Sequence, residues 1–145
     1  MLFERNRYPA PAGSRYSGRY QFNKHFYPVL ADLKDDGEEF ACAQLIDNHP
    51  QVKQWVRNLD TAPYGFALAT SKGRFYPDFV AELTDGRIAV IEYKGAHLIG
   101  LESEVEKRQV GELWAKLSSG KCMFGQVVLQ REGMNMQQQI NALFS

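Results

Sequence analysis

Short apolar runs separated by turn residues dominate the middle of the chain. Runs of this kind, rich in β-branched and aromatic side chains, are typical of β-strands. The pattern recurs in residues 52–59, 64–70, 74–83, 87–94 and 122–130. We therefore predict a sheet whose last strand is separated from the others by a long stretch with a different periodicity.

Three segments with helical patterns surround these runs. The first is predicted to begin at an N-cap, Asp36, and to end near Asn48. The second begins at a capping-box pair, Ser103 and Glu106, and a terminal helix covers residues 135–144. The second helix has apolar positions at helical spacing, at Val110, Leu113, Trp114 and Leu117. The order helix, strands, helix, strand, helix predicts an α/β fold with a mixed β-sheet flanked by helices.

The composition is that of one domain. The chain has 145 residues, of which 44% are apolar, and this is enough to bury a substantial core. No apolar stretch approaches the roughly 18 residues that indicate a membrane span, and the first residues lack the apolar segment of a signal peptide. We therefore expect a cytoplasmic protein with no membrane partner.

Charge is balanced overall but unevenly distributed. The sequence holds 17 basic and 17 acidic residues, which argues against nucleic-acid binding by bulk charge alone. Residues 1–28 nevertheless carry five bases against one acid, interleaved with tyrosine and phenylalanine. We predict that this arm packs on a domain formed by residues 29–145. Alternatively, its cations bind DNA phosphates and its rings stack on bases, with Arg15 and Arg19 as contacts.

The stretch RFYPDFVAELTDGRIAVIEYKG places charged side chains on two predicted strands that are otherwise apolar. Glu92 and Lys94 share a face, because strand side chains alternate with a period of two. A two-residue Asp-Gly loop would place Asp78 opposite Tyr93 and separate the carboxylates. A three-residue loop ending in a left-handed Gly86 would instead set Asp78 opposite Glu92. We predict the three-residue loop. The other face then carries an apolar set suited to a core, namely Phe79, Ala81, Leu83, Ala89 and Ile91.

Two neighbouring carboxylates repel, and each raises the pKa of the other unless a cation lies between them. Mg²⁺ suits the pair Asp78 and Glu92, because it takes oxygen ligands and commonly binds one or two carboxylates together with substrate phosphate. Lys94, on the same face, could orient or deprotonate a nucleophile or stabilise charge on a phosphate. The alternative is that the three side chains form an ion network on a solvated sheet face.

The Pro-Asp pair at 77–78, followed by Glu-Tyr-Lys at 92–94, resembles the signature of the PD-(D/E)XK nuclease superfamily. The wider stretch, roughly residues 20–125, resembles the C-terminal nuclease domain of type III restriction enzyme subunits and of related DEAD/DEAH-box helicases. The resemblance implies a restriction-endonuclease-like core. The chain has no GxxxxGK[ST] phosphate loop, so no ATPase activity is expected.

By this resemblance, Asp78 and Glu92 would bind Mg²⁺, for which Mn²⁺ could substitute. The Tyr93 carbonyl would complete the metal site, and Lys94 would be the catalytic lysine. These are roles that the family assigns to matching positions of its motif.

Superfamily members often add a glutamate from the first helix, and Glu38 and Glu39 are both candidates here. Helical geometry slightly favours Glu38, which points toward the predicted apolar arc, whereas Glu39 occupies the position of a capping-box acid. Lys107 lies one and two helical turns before Val110 and Trp114, so it could reach a DNA phosphate. A solvated helix lysine is the alternative.

Three functions are compatible with these residues. The leading prediction is a Mg²⁺-dependent DNA endonuclease that hydrolyses phosphodiester bonds within a restriction or helicase-nuclease system. Its partners would be DNA and, in a larger assembly, a helicase domain or a methyltransferase subunit. The second is a decayed DNA-binding or interaction module of the same fold, against which the intact Asp78, Glu92 and Lys94 speak. The third is a small-molecule hydrolase, which would need an enclosed pocket.

Overall fold

In the computed structural model, three helices flank a mixed four-stranded sheet, which confirms the predicted α/β class. The structure describes residue 3 and residues 8–10, 12–33, 37–61, 64–98 and 100–145. The described helices are α1 (Glu38–Asn48), α2 (Glu102–Lys116) and α3 (Met136–Phe144). None of them is long and apolar enough to cross a membrane. The predicted N-cap, Asp36, lies outside the described residues, and the structure has Gly37 at the N-cap position instead, whereas α1 ends at Asn48 as predicted.

The strands build a central sheet and two small hairpins. In chain order they are β1 (Val52–Arg57), β2 (Leu68–Thr70), β3 (Gly73–Phe75), β4 (Phe79–Leu83), β5 (Ile88–Tyr93), β6 (Cys122–Val127), β7 (Gln130–Arg131) and β8 (Met134–Asn135). The central sheet has the spatial order β1, β4, β5, β6. β4 runs antiparallel to both β1 and β5, whereas β5 and β6 are parallel and are connected through α2. β2 pairs with β3, and β7 pairs with β8.

The hairpin between β4 and β5 has the predicted three-residue loop. Leu83 N donates to Arg87 O over 2.9 Å, and Gly86 N donates to Leu83 O over 3.0 Å. Gly86 has φ = 90°, a left-handed conformation that glycine adopts without a Cβ clash. The strand pairs of β4 and β5 all follow the predicted register. Extending this register by one residue before the start of β4 makes Asp78 and Glu92 the next opposed pair.

The two faces of the central sheet carry separate apolar clusters. α1 and α3 cover the face predicted to be core, whose buried side chains include Trp55, Phe79, Ala81, Ala89, Ile91, Ile140 and Phe144. α2 covers the other face, where Val110 and Trp114 pack on a cluster around Val90 and Phe124. A Cβ at Gly111 would stand 2.5 Å from the Phe124 ring, so glycine is what allows α2 to approach β6 this closely.

Two predictions for the second helix are wrong. The capping box of Ser103 and Glu106 does not form, because the Glu106 carboxylate accepts hydrogen bonds from Ser71 N (2.9 Å) and Ser71 Oγ (2.8 Å). This contact with the β2–β3 turn replaces the local cap. Leu113 and Leu117 are 56% and 75% exposed, because α2 turns its Gly111 side rather than its leucines toward the sheet.

Two predicted strands are shorter than expected. Of residues 64–70, only the last three form β2. Residues 74–83 divide into β3 and β4, with Tyr76, Pro77 and Asp78 between them. A proline has no N–H to contribute to a sheet, so the break falls where Pro77 would interrupt the ladder.

The N-terminal segment, which comprises the described residues 8–10 and 12–33 before α1, packs along the edge of β1. Trp55 N donates to Lys24 O over 3.0 Å, and a parallel bridge between His25 and Trp55 continues the sheet. The buried Asp47 carboxylate accepts from Asn23 N (3.0 Å), Lys24 N (2.7 Å) and Trp55 Nε1 (2.9 Å). The segment therefore covers a strand edge that would otherwise offer unpaired backbone groups.

His25 is expected to make the fold sensitive to acid. Its Nε2 must accept from Arg57 N, which is 2.9 Å away, so Nδ1 carries the proton and donates to Tyr27 O over 2.9 Å. Burial lowers the pKa of His25 to about 4. As the pH falls, His25 therefore binds its second proton in the unfolded chain before it does so in the folded chain. The free energy of unfolding should then fall by roughly 2–3 kcal/mol as the pH drops from about 6.5 to about 4.

Urea unfolding at several pH values would measure this effect. In a His25→Gln variant the acid-dependent loss should be smaller than in the wild type. The exposed His97 provides the matched control, and His97→Gln should keep the full pH dependence. An identical pH dependence in His25→Gln would contradict the assignment.

Candidate active site

The candidate site lies at the edge of the sheet where β4 begins. Asp78 immediately precedes β4, Glu92 lies near the end of β5, and Arg57 is the last residue of β1. Because β1 and β5 both run antiparallel to β4, their ends meet at its start. The first turn of α1 brings Glu39 to the same edge.

Asp78 and Glu92 are each anchored by the backbone of the neighbouring strand. Asp78 N donates to Glu92 Oε1 over 3.1 Å, and Tyr93 N donates to Asp78 Oδ2 over 2.8 Å. Glu92 is only 4% exposed, whereas Asp78 is half-buried. Register thus brings the two carboxylates together, as the sequence predicted.

Lys94 lies between two buried carboxylates. Its Nζ is 3.2 Å from Glu92 Oε2 and 2.9 Å from Glu104 Oε2, which α2 contributes. The other oxygen of Glu104 is 3.2 Å from Lys107 Nζ. Lys107 also lies over the Phe75 ring, 5.2 Å from its centroid. The lysine predicted to bind DNA therefore makes contacts within the protein that help to hold Glu104.

Arg57 supplies positive charge on the other side of the carboxylate pair. Its Nη1 lies 2.6 Å from Glu39 Oε1 and 3.2 Å from Asp78 Oδ1. The contact with Glu39 is an ion pair without a well-directed hydrogen bond, and Glu39 Oε1 is shielded from solvent. This oxygen therefore keeps an unused acceptor position at the edge of the site.

Burial and the neighbouring charges both shift the pKa values of the site. Burial and then the charge of Asp78 raise the pKa of Glu92 to about 9. The same two causes raise the pKa of Glu39 to about 7. Burial acts to lower the pKa of Lys94, but the Glu92 and Glu104 carboxylates outweigh it and the net pKa is raised. Because Glu104 also pairs with Lys94, the lysine stays protonated even when Glu92 is neutral.

The structure places Glu39, rather than Glu38, beside Asp78. The buried positions of α1 include Phe40, Ala43 and Ile46, so Glu39 lies on the inward side of the helix. Glu38 is exposed, and its carboxylate accepts a hydrogen bond from the Tyr93 hydroxyl at the rim of the site. The arc assumed from the sequence was rotated by about one residue.

Arg15 and Arg19 lie on the exposed surface of the N-terminal segment. Arg15 Nε donates to Ala10 O over 2.8 Å. Arg15 lines a groove of about 430 Å³ formed by that segment, whereas Asp78 lines a different cleft. The predicted role of the two arginines in DNA binding stays a prediction.

Arg57 and Glu104 belong to the site but were not among the predicted site residues. Arg57 pairs with Phe79, the residue after Asp78, so the register between β1 and β4 is what brings it to the site. Glu104 lies in the first turn of a helix, where an acid is ordinary. No sequence signal distinguishes it from a solvent-exposed acid.

The oxygen donors at this edge fit Mg²⁺ in their chemistry. Asp78 and Glu92 supply two carboxylates, and the shielded Glu39 Oε1 has an unused acceptor position. Among the residues that the structure describes, no three His, Cys, Asp or Glu side chains are grouped as a metal site. Arg57 and Lys94 provide the neighbouring positive charge in this arrangement.

A cleft of about 450 Å³ opens beside Asp78. Its walls come from the N-terminal segment, the residues that follow β1 and the residues that precede β4. Arg57 and Asp78 form the wall nearest the candidate site. Asp78 is therefore next to a space that a ligand could enter.

Comparison of the chain with protein-family models, with curated proteins and with solved structures yields no match. A fold class by itself does not define an activity. The side chains at the edge of the sheet therefore carry the functional inference.

Proposed function

We propose that the chain is a Mg²⁺-dependent DNA endonuclease with a restriction-endonuclease-like core. The observation that supports it most is the opposed pair of Asp78 and Glu92, with Lys94 Nζ 3.2 Å from Glu92 Oε2. Two carboxylates and a lysine at one edge of a sheet are suited to hold a hard cation beside a phosphate.

In this proposal Asp78, Glu92 and the Tyr93 carbonyl would hold the metal. When bound, Mg²⁺ supplies positive charge to the phosphate and makes an attacking water more acidic. Lys94 is protonated, so it would stabilise charge on a phosphate oxygen rather than remove a proton. Glu39 has a pKa of about 7 and could accept a proton from the nucleophile at neutral pH.

DNA would be the substrate, and surface cations would contribute to its binding. Arg15 and Arg19 are exposed and could contact phosphates outside the site. A helicase domain or a methyltransferase subunit would be a partner if the chain acts within a restriction or helicase-nuclease system.

One observation favours a decayed module of the same fold as the alternative. Arg57 and Lys94 already neutralise Asp78 and Glu92 within the protein. A buried network of this kind can persist without catalysis, because removing one partner leaves an uncompensated charge.

Incubation of supercoiled plasmid with the purified chain tests the proposal. We expect nicked or linear DNA with Mg²⁺ or Mn²⁺ and intact plasmid with EDTA. Lys94→Gln should lower the cleavage rate by at least about a hundredfold, because charge on the phosphate is no longer stabilised, while Mg²⁺ still binds. Lys116→Gln, at the exposed end of α2, is the matched control and should cleave normally. DNA binding without cleavage in either metal would favour the decayed module.

A further inference from the structure

The guanidinium of Arg57 is only partly paired by the residues that the structure describes. The polar contacts between the described residues and its guanidinium all use Nη1, with Glu39 Oε1 at 2.6 Å and Asp78 at 3.2 Å (Oδ1) and 3.4 Å (O). Nε is shielded from solvent and has no hydrogen-bond partner among these residues. Leaving such a donor unpaired is costly. Arg57 also lines the cleft beside Asp78, so a ligand in that cleft would lie next to this incompletely paired guanidinium.

The guanidinium of Arg57 is also held in place. Its Cζ lies 5.5 Å from the centroid of the Phe79 ring, and its side chain is 17% exposed. A planar, pre-oriented guanidinium matches phosphate geometry and loses little conformational freedom when it binds. Arg57 thus has the properties of an anion-binding residue.

The cleft beside Asp78 limits what can bind next to Arg57. Arg57 is the one basic side chain among the described lining residues, which also include Asp32, Asp60 and Tyr76. The two additional aspartates repel a second phosphate, so the cleft suits one phosphate followed by uncharged groups. Carboxylates accept hydrogen bonds from base and sugar donors, and a tyrosine ring can stack on a base.

We propose that this cleft binds one nucleotide of an unpaired DNA strand, with its phosphate on Arg57 and its base against Tyr76. The inference rests on the proposed nuclease function and adds that the strand reaches the site unpaired. A volume of about 450 Å³ is in the range of small-ligand sites. In a duplex the bases remain stacked on each other and leave no free face for Tyr76.

Fluorescence anisotropy in EDTA tests this assignment without cleavage. The probes are a labelled single strand of about 12 nucleotides and a hairpin duplex of the same composition. We expect the wild type to bind the single strand at least about tenfold more tightly than the duplex. Arg57→Gln should weaken single-strand binding about tenfold and lower the slope of log K against log salt by about 0.7. Tyr76→Ala should weaken it by a similar factor with an unchanged slope.

Two further variants control for folding and for general charge effects. Arg57→Lys keeps the charge beside Glu39 and Asp78, so it should fold normally. Because it lacks the planar guanidinium, its affinity for the single strand should be several-fold lower than that of the wild type. Arg87→Gln, at the opposite end of the β4–β5 hairpin, removes the same charge as Arg57→Gln and should bind normally.

The outcomes separate this inference from the nuclease proposal. Equal binding of single strand and duplex, or unchanged affinity in Arg57→Lys and Tyr76→Ala, would overturn the inference. Plasmid cleavage by the wild type, together with unchanged binding in those variants, would reject the cleft assignment alone. Single-strand binding that depends on Arg57 in a chain that does not cleave would reject the nuclease and leave the cleft assignment in place.

Discussion

Glu92→Gln is expected to lower Mg²⁺-dependent DNA cleavage by at least about a thousandfold and to leave the fold intact or more stable. Glutamine keeps the shape of the side chain and an oxygen that accepts from Asp78 N, 3.1 Å away, but it does not bring the negative charge that Mg²⁺ requires. Asp78→Asn should lose cleavage to a similar extent for the same reason. The plasmid assay with Mg²⁺ measures both changes.

The stability part of this prediction follows from the raised pKa of Glu92. A carboxyl whose pKa is about 9 when folded and about 4.5 when unfolded contributes stability that is fully present below about pH 4.5 and is lost as the pH rises toward 9. Glutamine does not ionise. Without metal, Glu92→Gln should therefore be more stable than the wild type at pH 8 and similar to it near pH 4.

Chemical unfolding in EDTA at the two pH values measures this difference. The exposed Glu112 gives the matched control, and Glu112→Gln should change neither cleavage nor the pH dependence. If Glu92 is a metal ligand as proposed, added Mg²⁺ should stabilise the wild type much more than Glu92→Gln, because glutamine lacks the charged oxygen. A Glu92→Gln variant that is less stable than the wild type at pH 8 would identify Glu92 as a structural partner of Lys94.

The β4–β5 hairpin could be predicted because the information that shapes it is local. Strand side chains alternate, and an Asp-Gly pair permits only a two-residue or a three-residue loop, so counting residues leaves two registers, of which the three-residue loop opposes Asp78 and Glu92. The apolar set on the other face removes the remaining ambiguity. A one-residue slip would have turned that set toward the charged side.

Arg57 and Glu104 could not be predicted in the same way, because their contacts are long-range. No tight turn joins β1 to β4, since the β2–β3 hairpin lies between them, so the register that brings Arg57 to Asp78 is not encoded in a loop. Glu104 becomes a partner of Lys94 only when α2 packs on the sheet. These contacts depend on tertiary packing.

The sequence pattern also did not predict how α1 and α2 are rotated about their own axes. One residue step turns a helix by about 100°, which is the difference between Glu38 at the rim and Glu39 beside Asp78. Periodicity locates an apolar stripe but not its centre. In α2 that centre lies near Gly111, a residue without a side chain that hydrophobic patterns overlook, and Leu113 is left exposed as a result.

Asp47→Ala is expected to lower the free energy of unfolding by about 3–5 kcal/mol. Asp47 is 1% exposed and accepts from Asn23 N, Lys24 N and Trp55 Nε1. Alanine would leave the buried Trp55 Nε1 and the part-buried amides of Asn23 and Lys24 without this partner, and each buried loss costs about 1–3 kcal/mol. The free energy of unfolding should fall less in Asp47→Asn. Its amide oxygen can still accept a hydrogen bond, although its NH₂ group would face the remaining donors.

The loss of stability should start in the N-terminal segment and then reach the site. Without Asp47 the segment keeps the bridge at His25, whose Nε2 accepts from Arg57 N, and the Lys24 Nζ contact with Val52 O, but it loses its buried carboxylate anchor. Limited proteolysis should therefore cut Asp47→Ala near residue 20 before the wild type, and urea unfolding should show the lower midpoint. Glu112→Ala is the control and should match the wild type in both. A loss below about 1 kcal/mol, with the segment still protected, would mean that aromatic packing rather than Asp47 holds the segment on the strand that positions Arg57.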